Sequence, residues 1–535
     1  MPATRDHLYF VLPGVPAAEA SAETMGCKAY GLLRMARLGL PVPPAFVLDT
    51  VLCRRYFERG GQLPDNLRDL LAHGLAGLEA ATGRGFGSSR RPLLVSVRSG
   101  APVSMPGMME TILNIGLGEK SLRGLLRSTG NPRQTKDCYR RLVRDFARVV
   151  RGAEAHPFDA LIARECAKEG VVNASDLDSA ALGRILQDSL ELTHALTGEP
   201  FPQDPMAQLL GAVEAVFRSW NSEKACNYRR LNGIDDSSGT AVTVQAMVFG
   251  NAGSESGAGV GFTRDPATGE NRPYLDFLFN AQGEDVVSGR HTVHETELLT
   301  RRLPTVAAEL GHIKTILEDE FRDMQDFEFT VENGRLHLLQ TRDGKRTPWA
   351  ALRIAVDMVR EERISTPEAL RRLEGLALDK LERLRIAQGV ETAPLATAVP
   401  ASIGVAIGEI VFDPKRAVER HSEGRNVILV REDIATRDIE GLAAAEGVLT
   451  ATGGRTSHAA VVARQLGKVC LVGCTALRLD ATQRSCVVGQ VRLREGDTVT
   501  LDGDNGRIYA GQVSLVRERP EDWLAELARW RRKQA

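Results

Sequence analysis

A histidine that could carry a covalent group lies in the segment Gly453-Gly454-Arg455-Thr456-Ser457-His458-Ala459-Ala460. The apolar run before it ends at Thr450 and predicts a strand, the two glycines predict a turn, and the small residues predict a helix. His458 would therefore lie near a helix N-terminus, where backbone N–H groups and the helix dipole favour an anion. A neutral imidazole can act as a nucleophile near pH 7 and accept a phosphoryl group.

Two features bear on that interpretation of His458. Arg464 follows nearly two helical turns later and could neutralise part of the charge of a phosphoryl group. A histidine that caps a helix or forms an ordinary hydrogen bond is the plainer alternative for the same position.

A second candidate is a glycine-containing loop that follows a strand ending near Arg98. Gly100 and Gly107 let the backbone approach a polyphosphate closely, and the guanidinium of Arg98 can contact phosphate oxygens in a bidentate manner. Without further context the same stretch is a surface loop.

A third candidate is a pair of polar side chains on a predicted hairpin. Glu328 and Gln340 lie on two apolar runs that are joined by Asn333-Gly334, a strong hairpin signal. A carboxylate and an amide oxygen suit Mg²⁺, which prefers hard oxygen ligands and keeps waters and phosphate oxygens. Arg342 would then stabilise charge on a transferring phosphoryl group. The alternative is an ordinary cross-strand polar pair. The chain has no Gly-x-x-x-x-Gly-Lys-[Ser/Thr] segment and so is not a P-loop protein.

These segments, in this order, resemble the family of pyruvate phosphate dikinase and phosphoenolpyruvate synthase over about residues 8–514. The resemblance implies that His458 carries the phosphoryl group, that Thr456 is a candidate regulatory phosphorylation site, and that Glu328 and Gln340 bind Mg²⁺. It further implies a set of nucleotide-binding residues: Lys28 in Met25–Leu32, Arg98, Gly100, Gly107, Arg141 (with Arg140 as the alternative), Glu284 in Asn280–Gly289, Glu328, Gln340 and Arg342.

The elements that would position these residues indicate a multidomain chain of α/β and α+β class. The resemblance implies an ATP-grasp-like nucleotide-binding lobe and a compact β/α swivelling domain that carries the phosphohistidine. The predicted regions are a nucleotide-binding region at 1–348 with a mostly helical section at about 121–220, a helical linker at 349–395, the phosphohistidine domain at 396–514, and a C-terminal helix at 515–535.

Composition limits the classes of partner. The formal net charge of −1 argues against a general nucleic-acid binder. No stretch of about 20 apolar residues predicts a membrane span, and Met1–Phe10 lacks an apolar signal core. The eight cysteines are scattered, which is typical of a reducing cytoplasm rather than of a zinc ribbon or a disulfide framework.

The function implied by the resemblance is phosphorylation of His458 from ATP, with inorganic phosphate giving AMP and pyrophosphate, followed by transfer to an acceptor. The family's pyruvate-binding (β/α)₈ barrel needs about 250 residues, and only about 20 follow the predicted histidine domain. We therefore expect the acceptor, a small molecule or a pyruvate-binding subunit, to bind elsewhere, with the histidine domain swivelling on the linker. A nucleotide-binding regulatory module without turnover and a kinase for a non-pyruvate acceptor are the alternatives. A homo-oligomer is compatible with the sequence, and Trp523, Leu527 and Trp530 share a helix face that could dock a partner.

Overall fold

The computed structural model describes residues 6–12, 20–103, 105, 109–171, 174–287, 294–389, 392–434, 438–455, 457–480 and 483–534. The side chains of residues 231, 284, 287, 294–296, 458 and 534 lie outside this description. Gly107 and Thr456 are therefore outside the described residues, and Glu284 and His458 are described by their backbone alone. The chain divides into two compact units, residues 1–253 with 331–342 and residues 254–330 with 343–535.

The first unit is built on an antiparallel sheet flanked by helices. The sheet order is β1-β2-β7-β5-β6, and β3 and β4 form a short separate pair. The strands are β1 Leu8–Val11, β2 Ala45–Leu48, β3 Gly85–Phe86, β4 Pro92–Leu93, β5 Val95–Gly100, β6 Thr111–Ile115 and β7 Ala241–Ala246. The helices are α1 Ala22–Arg37, α2 Thr50–Glu58, α3 Leu67–Thr82, α4 Glu119–Thr129, α5 Pro132–Val149, α6 His156–Glu169, α7 Ser179–Thr197, α8 Pro205–Trp220 and α9 Glu223–Asn232.

The predicted helical section of this unit is present. Helices α4 to α8 run from Glu119 to Trp220, close to the expected 121–220. The apolar faces of α4, α5 and α8 join the sheet in one core that includes Phe46, Leu142 and Trp220, whereas α6 packs against α7 in a separate cluster. The amphipathic spacing of apolar residues was enough to predict these helices because each of them buries one face.

The second unit begins with strands that share one sheet with the predicted hairpin. The elements between residues 257 and 343 are β8 Gly257–Phe262, β9 Tyr274–Phe279, α10 Gly283–Val287, α11 His294–Arg302, α12 Pro304–Phe321, β10 Gln325–Glu332 and β11 Arg335–Asp343, with sheet order β11-β10-β8-β9. Strand β11 up to Arg342 is assigned to the first unit. Asn333 and Gly334 form the turn between β10 and β11 with φ of 49° and 74°, so the hairpin expected there is confirmed. The division between the two units passes through this hairpin.

Next come α13 Pro348–Arg360 and α14 Thr366–Arg372, which occupy most of the predicted linker. The linker is helical only to Arg372, since β12 Arg383–Ile386 then pairs antiparallel with β24 Leu515–Glu518. Residues 515–518 are therefore a strand, and the C-terminal helix α18 begins at Glu521 and ends at Gln534. That the linker acts as a swivel stays a prediction.

Helix α18 packs inside its own unit. Leu527 and Trp530 are 2% and 8% exposed and share one buried core with Leu352 and Val356 of α13, and the Trp523 ring meets Trp349 edge-on at 5.6 Å. The expectation that this helix face could dock a partner is therefore wrong, because the face is used to cover α13.

The phosphohistidine region forms an eight-stranded sheet of order β13-β23-β22-β15-β16-β17-β18-β14. Strands β15 to β18 are parallel and alternate with helices, and the outer strands are antiparallel. The elements are β13 Ala396–Thr397, β14 Val399–Ser402, β15 Val405–Val411, α15 Pro414–Ser422, β16 Val427–Arg431, α16 Ile439–Ala444, β17 Gly447–Thr450, α17 His458–Gln465, β18 Val469–Val472, β22 Thr498–Asp502 and β23 Arg507–Ala510. Between β18 and β22 along the chain there is a three-stranded antiparallel sheet that the sequence did not predict. Its strands are β19 Leu477–Asp480, β20 Ser485–Val488 and β21 Val491–Arg494.

Within the described residues, no helix is both long enough and apolar enough to cross a bilayer.

A buried ion cluster joins three elements of the second unit. The guanidinium of Arg264, fully buried at the end of β8, donates to both carboxylate oxygens of Glu318 in α12 at 3.0 and 2.9 Å. It also donates to both oxygens of Glu361, just after α13, at 3.1 and 2.6 Å. Arg264 therefore ties the end of β8 to α12 and α13.

We predict that Arg264→Met lowers the free energy of unfolding by about 3–5 kcal/mol, because Glu318 stays buried without its guanidinium. Arg371→Met is the matched control, since Arg371 pairs with Glu368 on the surface and is 70% exposed; there we expect a loss of less than about 1 kcal/mol. Urea denaturation of the two variants measures the difference. Equal losses would show that the buried cluster does not stabilise this unit.

Candidate functional site

The first candidate site is built around a break in helix α1. Gly26 has φ 77° and ψ 152°, which interrupts the helix just before Cys27 and Lys28. A Cβ atom added at Gly26 would lie 2.1 Å from the carbonyl oxygen of Gly100, so the two backbones are in direct contact. The N–H group of Cys27 donates to the carbonyl of Ala101 at 2.9 Å. The start of the second part of α1 is thereby fixed against the end of β5.

Lys28 lies in the first turn after this break and is half-buried. Only Gly26 in this segment takes the left-handed conformation, since Cys27 and Ala29 are not among the residues with positive φ. The side chains at those two positions therefore do not strain the backbone.

Arg342 lies close to the same place. Burial raises the pKa of the Cys27 thiol, whereas the charges of Lys28 and Arg342 both act to lower it. Both cations are therefore near enough to Cys27 to act on it electrostatically. The close approach of α1 to β11 has a local cause, because a Cβ at Gly31 would lie 3.2 Å from the carbonyl oxygen of Thr341.

Arg98 and Gly100 lie on the strand that contacts Gly26. Arg98 pairs with Thr243 of β7 and with Thr111 of β6, and its Nε is buried without a hydrogen-bond partner among the described residues. The N–H of Gly100 donates to the hydroxyl of Thr240 at 3.2 Å. Lys28, Arg342 and Gly100 are thus brought together around Gly26 and Cys27, and Arg98 lies two residues along β5 from Gly100.

Arg141 has an ion-pair partner on its own helix, α5. Arg141 and Arg140 both donate to Asp137 of the same helix, at 2.9 and 2.6 Å, and Asn251 adds a contact at 3.4 Å. Burial by itself would raise the pKa of Asp137, but the two guanidinium groups hold it well below its usual range. Arg141 is 19% exposed and Arg140 only 6%, so Arg141 is the more accessible of the two.

Glu328 and Gln340 lie on consecutive strands, as expected. Glu328 of β10 is half-buried and points away from its neighbours Phe327 and Phe329, whose rings fill the space above Gly259 and Gly261. Gln340 of β11 is 5% exposed. Among the described residues there is no group of three or more His, Cys, Asp or Glu side chains suited to a metal. Glu328 and Gln340 supply only one carboxylate between them, so this finding does not test them as a metal site.

The second candidate site is the segment before His458. Strand β17 ends at Thr450, and α17 begins at His458, so this histidine is the first residue of its helix. Ser457 caps the helix through a hydrogen bond from Ala460 N–H to its hydroxyl at 3.4 Å. Gly453 takes φ 109° in the turn. The segment therefore follows the carboxyl end of a central parallel strand, where α/β sheets commonly bind ligands.

Two small residues after the histidine have a packing role. Ala459 and Ala460 are 1% and 0% exposed and belong to the core between α17 and the sheet. Their size lets the helix approach the sheet.

Sequence reasoning gave Lys28, Arg98 and Gly100 but missed the contacts that hold them. The break at Gly26 had a signal, a glycine inside a helical pattern. The carboxylate of Asp137 also had one, the i,i+3 and i,i+4 spacing to Arg140 and Arg141 on a predicted helix. The hydroxyl of Thr240 had none, because its partner Gly100 is distant along the chain.

Comparison with known proteins shows similarity along most of the chain. Residues 60–309 match the family model described as "Pyruvate phosphate dikinase, AMP/ATP-binding domain", and residues 424–506 match "PEP-utilising enzyme, mobile domain". The pyruvate, phosphate dikinase of Rhizobium meliloti is 43% identical over 97% of this chain and 59% of its own length. That of Clostridium symbiosum is 43% identical over 91% of this chain and 56% of its own. The chloroplastic pyruvate, phosphate dikinase 1 of Arabidopsis thaliana is 42% identical over 92% and 51%. The chain thus spans somewhat more than half of the length of these relatives.

We predict that Gly26→Ala weakens ATP binding at least about tenfold, because the new methyl group meets the Gly100 carbonyl and must push the Lys28 turn away from β5. Gly39→Ala is the matched control: Gly39 has a similar φ of 74° but nothing within 4 Å of its added Cβ. Calorimetric titration of both variants with magnesium ATP separates the steric effect from the cost of a positive φ. Equal affinities would argue against a nucleotide site at this contact.

We also predict that Asp137→Asn changes how stability depends on pH. The pKa of Asp137 is lowered on folding, so its contribution is present above the unfolded value and is lost as the pH falls through about 4 and below. At pH 7 the variant should lose about 3–5 kcal/mol, since two largely buried arginines lose their carboxylate. The loss should shrink toward pH 3.

Thermal unfolding between pH 3 and pH 7 measures this trend. Asp379→Asn, at a side chain that is 92% exposed, serves as control and should follow the wild-type curve. A constant difference between Asp137→Asn and wild type across this range would contradict the assignment of the ion cluster.

Proposed function

From its similarity to pyruvate, phosphate dikinases along most of its length, we propose that the chain belongs to that family and is an ATP-dependent phosphotransferase that forms a phosphohistidine at His458. The observation that carries the proposal is the position of His458 as the first residue of α17, directly after the turn that follows β17. The first turn of a helix has N–H groups without helical partners and the positive end of the helix dipole, which together stabilise an anion. The similarity of residues 424–506 to the mobile domain of enzymes that use phosphoenolpyruvate supports the same assignment.

The proposed nucleotide contacts Lys28, Arg98 and Arg342 lie in the first unit, which we propose to be an ATP-grasp-like lobe. Lys28, Arg98 and Arg342 supply positive charge, and the glycines at 26 and 100 let the backbone come close to a polyphosphate. The buried Nε of Arg98, which has no partner among the described residues, is available to a ligand oxygen. Gly107, Arg141 and Glu284 stay predicted contacts of the nucleotide.

Glu328 and Gln340 are the residues that would hold Mg²⁺. A half-buried carboxylate and a buried amide oxygen on consecutive strands fit an ion that takes hard oxygen ligands and keeps phosphate oxygens in its shell. Bound there, Mg²⁺ would neutralise charge on the polyphosphate. Arg342, two residues beyond Gln340, would stabilise the phosphoryl group in transfer.

The proposed reaction at His458 has two steps. A ring nitrogen attacks the β-phosphorus of ATP, the bond between that phosphorus and the oxygen bridging to the α-phosphate breaks, and AMP leaves. Inorganic phosphate then attacks the γ-phosphorus of the pyrophosphorylated histidine, releasing pyrophosphate and leaving one phosphoryl group on the ring. Phosphoryl transfer of this kind depends mainly on positioning and on charge neutralisation, which the two sites would supply.

The relatives are named for pyruvate and phosphate, so we propose pyruvate as the acceptor and inorganic phosphate as the co-substrate. The phosphoryl group would pass from His458 to pyruvate and give phosphoenolpyruvate. A pyruvate-binding subunit supplied separately is the second arrangement that the experiment must distinguish.

We predict acid-labile label on His458 when the protein is incubated with phosphate and ATP labelled at the β-phosphorus, because that phosphorus stays on the ring in the proposed scheme. Label at the γ-phosphorus should appear in pyrophosphate. His458→Ala should reduce protein labelling to background, whereas His421→Ala, at an exposed histidine of the same domain in α15, should label as wild type.

Adding pyruvate to the labelled protein tests the acceptor. Loss of label with formation of phosphoenolpyruvate supports pyruvate as the acceptor for this chain alone. Loss of label only after a second protein is added supports a separate subunit. Nucleotide binding without AMP formation would replace the proposal by a regulatory nucleotide-binding module, and equal label in His458→Ala would defeat the assignment of the histidine.

A further inference from the structure

Arg464 is one of the largest fully buried side chains, with 1% of its surface exposed. Among the residues that the structure describes, its guanidinium donates hydrogen bonds to backbone carbonyls rather than to a carboxylate. Its Nε is buried without a hydrogen-bond partner there. A buried arginine normally offsets the loss of its hydration through a carboxylate, so the retention of this cation calls for a specific role.

The contacts of Arg464 point to the turn before His458. Its Nη1 donates to the carbonyl of Arg455 at 2.8 Å and to the carbonyl of Ala401 at 3.0 Å. Arg455 precedes His458 by three residues, and Ala401 lies in β14, the strand paired with β18. One guanidinium nitrogen therefore bridges the histidine turn to an ordered strand of the sheet.

Aromatic rings from another part of the same unit cover both arginines. The Arg464 guanidinium lies 5.6 Å from the centre of the Phe262 ring, and that of Arg455 lies 4.6 Å from the centre of the Tyr274 ring. The two rings meet edge-on at 6.2 Å. The hydroxyl of Tyr274 donates to the carbonyl of Pro400 at 3.3 Å. Burial raises the pKa of Tyr274, so the hydroxyl keeps its proton and remains a donor.

We propose that Arg464 is a positioning residue for His458, and that it acts through an arginine clasp formed by Arg455, Arg464, Phe262 and Tyr274. The clasp fixes the carbonyl of Arg455 and so sets the direction in which the chain enters α17. This inference rests on the proposed function for its catalytic consequence, but the placement of the turn can be measured without it.

The charge of Arg464 adds a second consequence. The residue is six positions after His458 in α17, about 9 Å along a helix axis, yet its guanidinium reaches back to a carbonyl that precedes the helix. A cation whose charge no carboxylate cancels is thereby held toward the helix N-terminus. It reinforces the helix dipole there and favours the anionic phosphoryl state of the histidine.

The test compares Arg464→Met, which keeps the length but removes the donor, with Arg464→Lys, which keeps the charge. Arg478→Met, at an exposed arginine in β19 of the same domain, is the control for loss of an arginine. Two readouts are measured on the full chain: the single-turnover rate of His458 labelling as a function of ATP concentration, and amide hydrogen exchange in peptides covering residues 453–461.

We expect Arg464→Met to slow labelling on the order of 100-fold, as a misplaced nucleophile does. The ATP concentration for half-maximal rate should be unchanged, because none of the proposed nucleotide contacts belongs to the clasp. Exchange in the 453–461 peptides should rise at the same time. Arg464→Lys should recover most of the rate, and Arg478→Met should match wild type in both readouts.

The proposal would be overturned if a folded Arg464→Met variant showed the same labelling rate and the same amide exchange as wild type. It would also be overturned if Arg464→Lys were labelled no faster than Arg464→Met. If wild type itself is not labelled, the proposed function fails and the exchange measurement alone decides the positioning role. Should Arg464→Met not fold, Tyr274→Leu removes the ring under Arg455 while Tyr274→Phe retains it. We then expect raised exchange in 453–461 for leucine alone, and equal exchange in the two variants would overturn the clasp.

Discussion

The first unit depends on a backbone contact that leaves no room for a side chain. Gly26 touches the carbonyl of Gly100, and the N–H of Cys27 bonds to the carbonyl of Ala101. Because these contacts are between main-chain atoms, they fix the position of the Lys28 turn relative to the strand that carries Arg98 without relying on flexible side chains. The helix then continues across Gly31 onto β11, which brings Arg342 to the same place. A set of cations that would repel one another in a loose arrangement is therefore held by rigid elements.

The second unit uses sheet topology for the same purpose. Parallel strands β15 to β18 place the turn after β17 at the carboxyl end of the sheet, and α17 starts there with His458. Small buried residues on the inner face of α17 let the helix lie close to the sheet. The glycine at 453, with its positive φ, then lets the chain turn within a few residues from strand to helix.

Three buried charge sites show how differently this chain treats charge. Arg264 is matched by two carboxylates and joins three elements, and Asp137 is matched by two arginines within one helix. Arg464 instead bonds to carbonyl oxygens and faces an aromatic ring. The first two arrangements cancel charge and so serve cohesion. The third retains a positive charge near a segment that we propose to carry an anion, which is where an uncancelled cation contributes most.

The sequence by itself predicted which segments could bear chemistry. It also predicted the strand that ends at Thr450, the helices between 119 and 220, and the hairpin at Asn333-Gly334, because these depend on local periodicity and on turn residues. It did not determine the sheet at 477–494 or the strand at 515–518, whose residues pair with partners that no local pattern identifies. It also left the tryptophan face of α18 open, since an apolar helix face is the same in sequence whether it covers its own core or a partner. The pairing of Asp137 with both arginines follows from i,i+3 and i,i+4 spacing on one helix. Tertiary structure alone decided that Gly26 meets Gly100 and that Arg464 reaches Ala401 and Phe262. Each of these two contacts joins groups whose proximity is set by packing rather than by spacing along the chain.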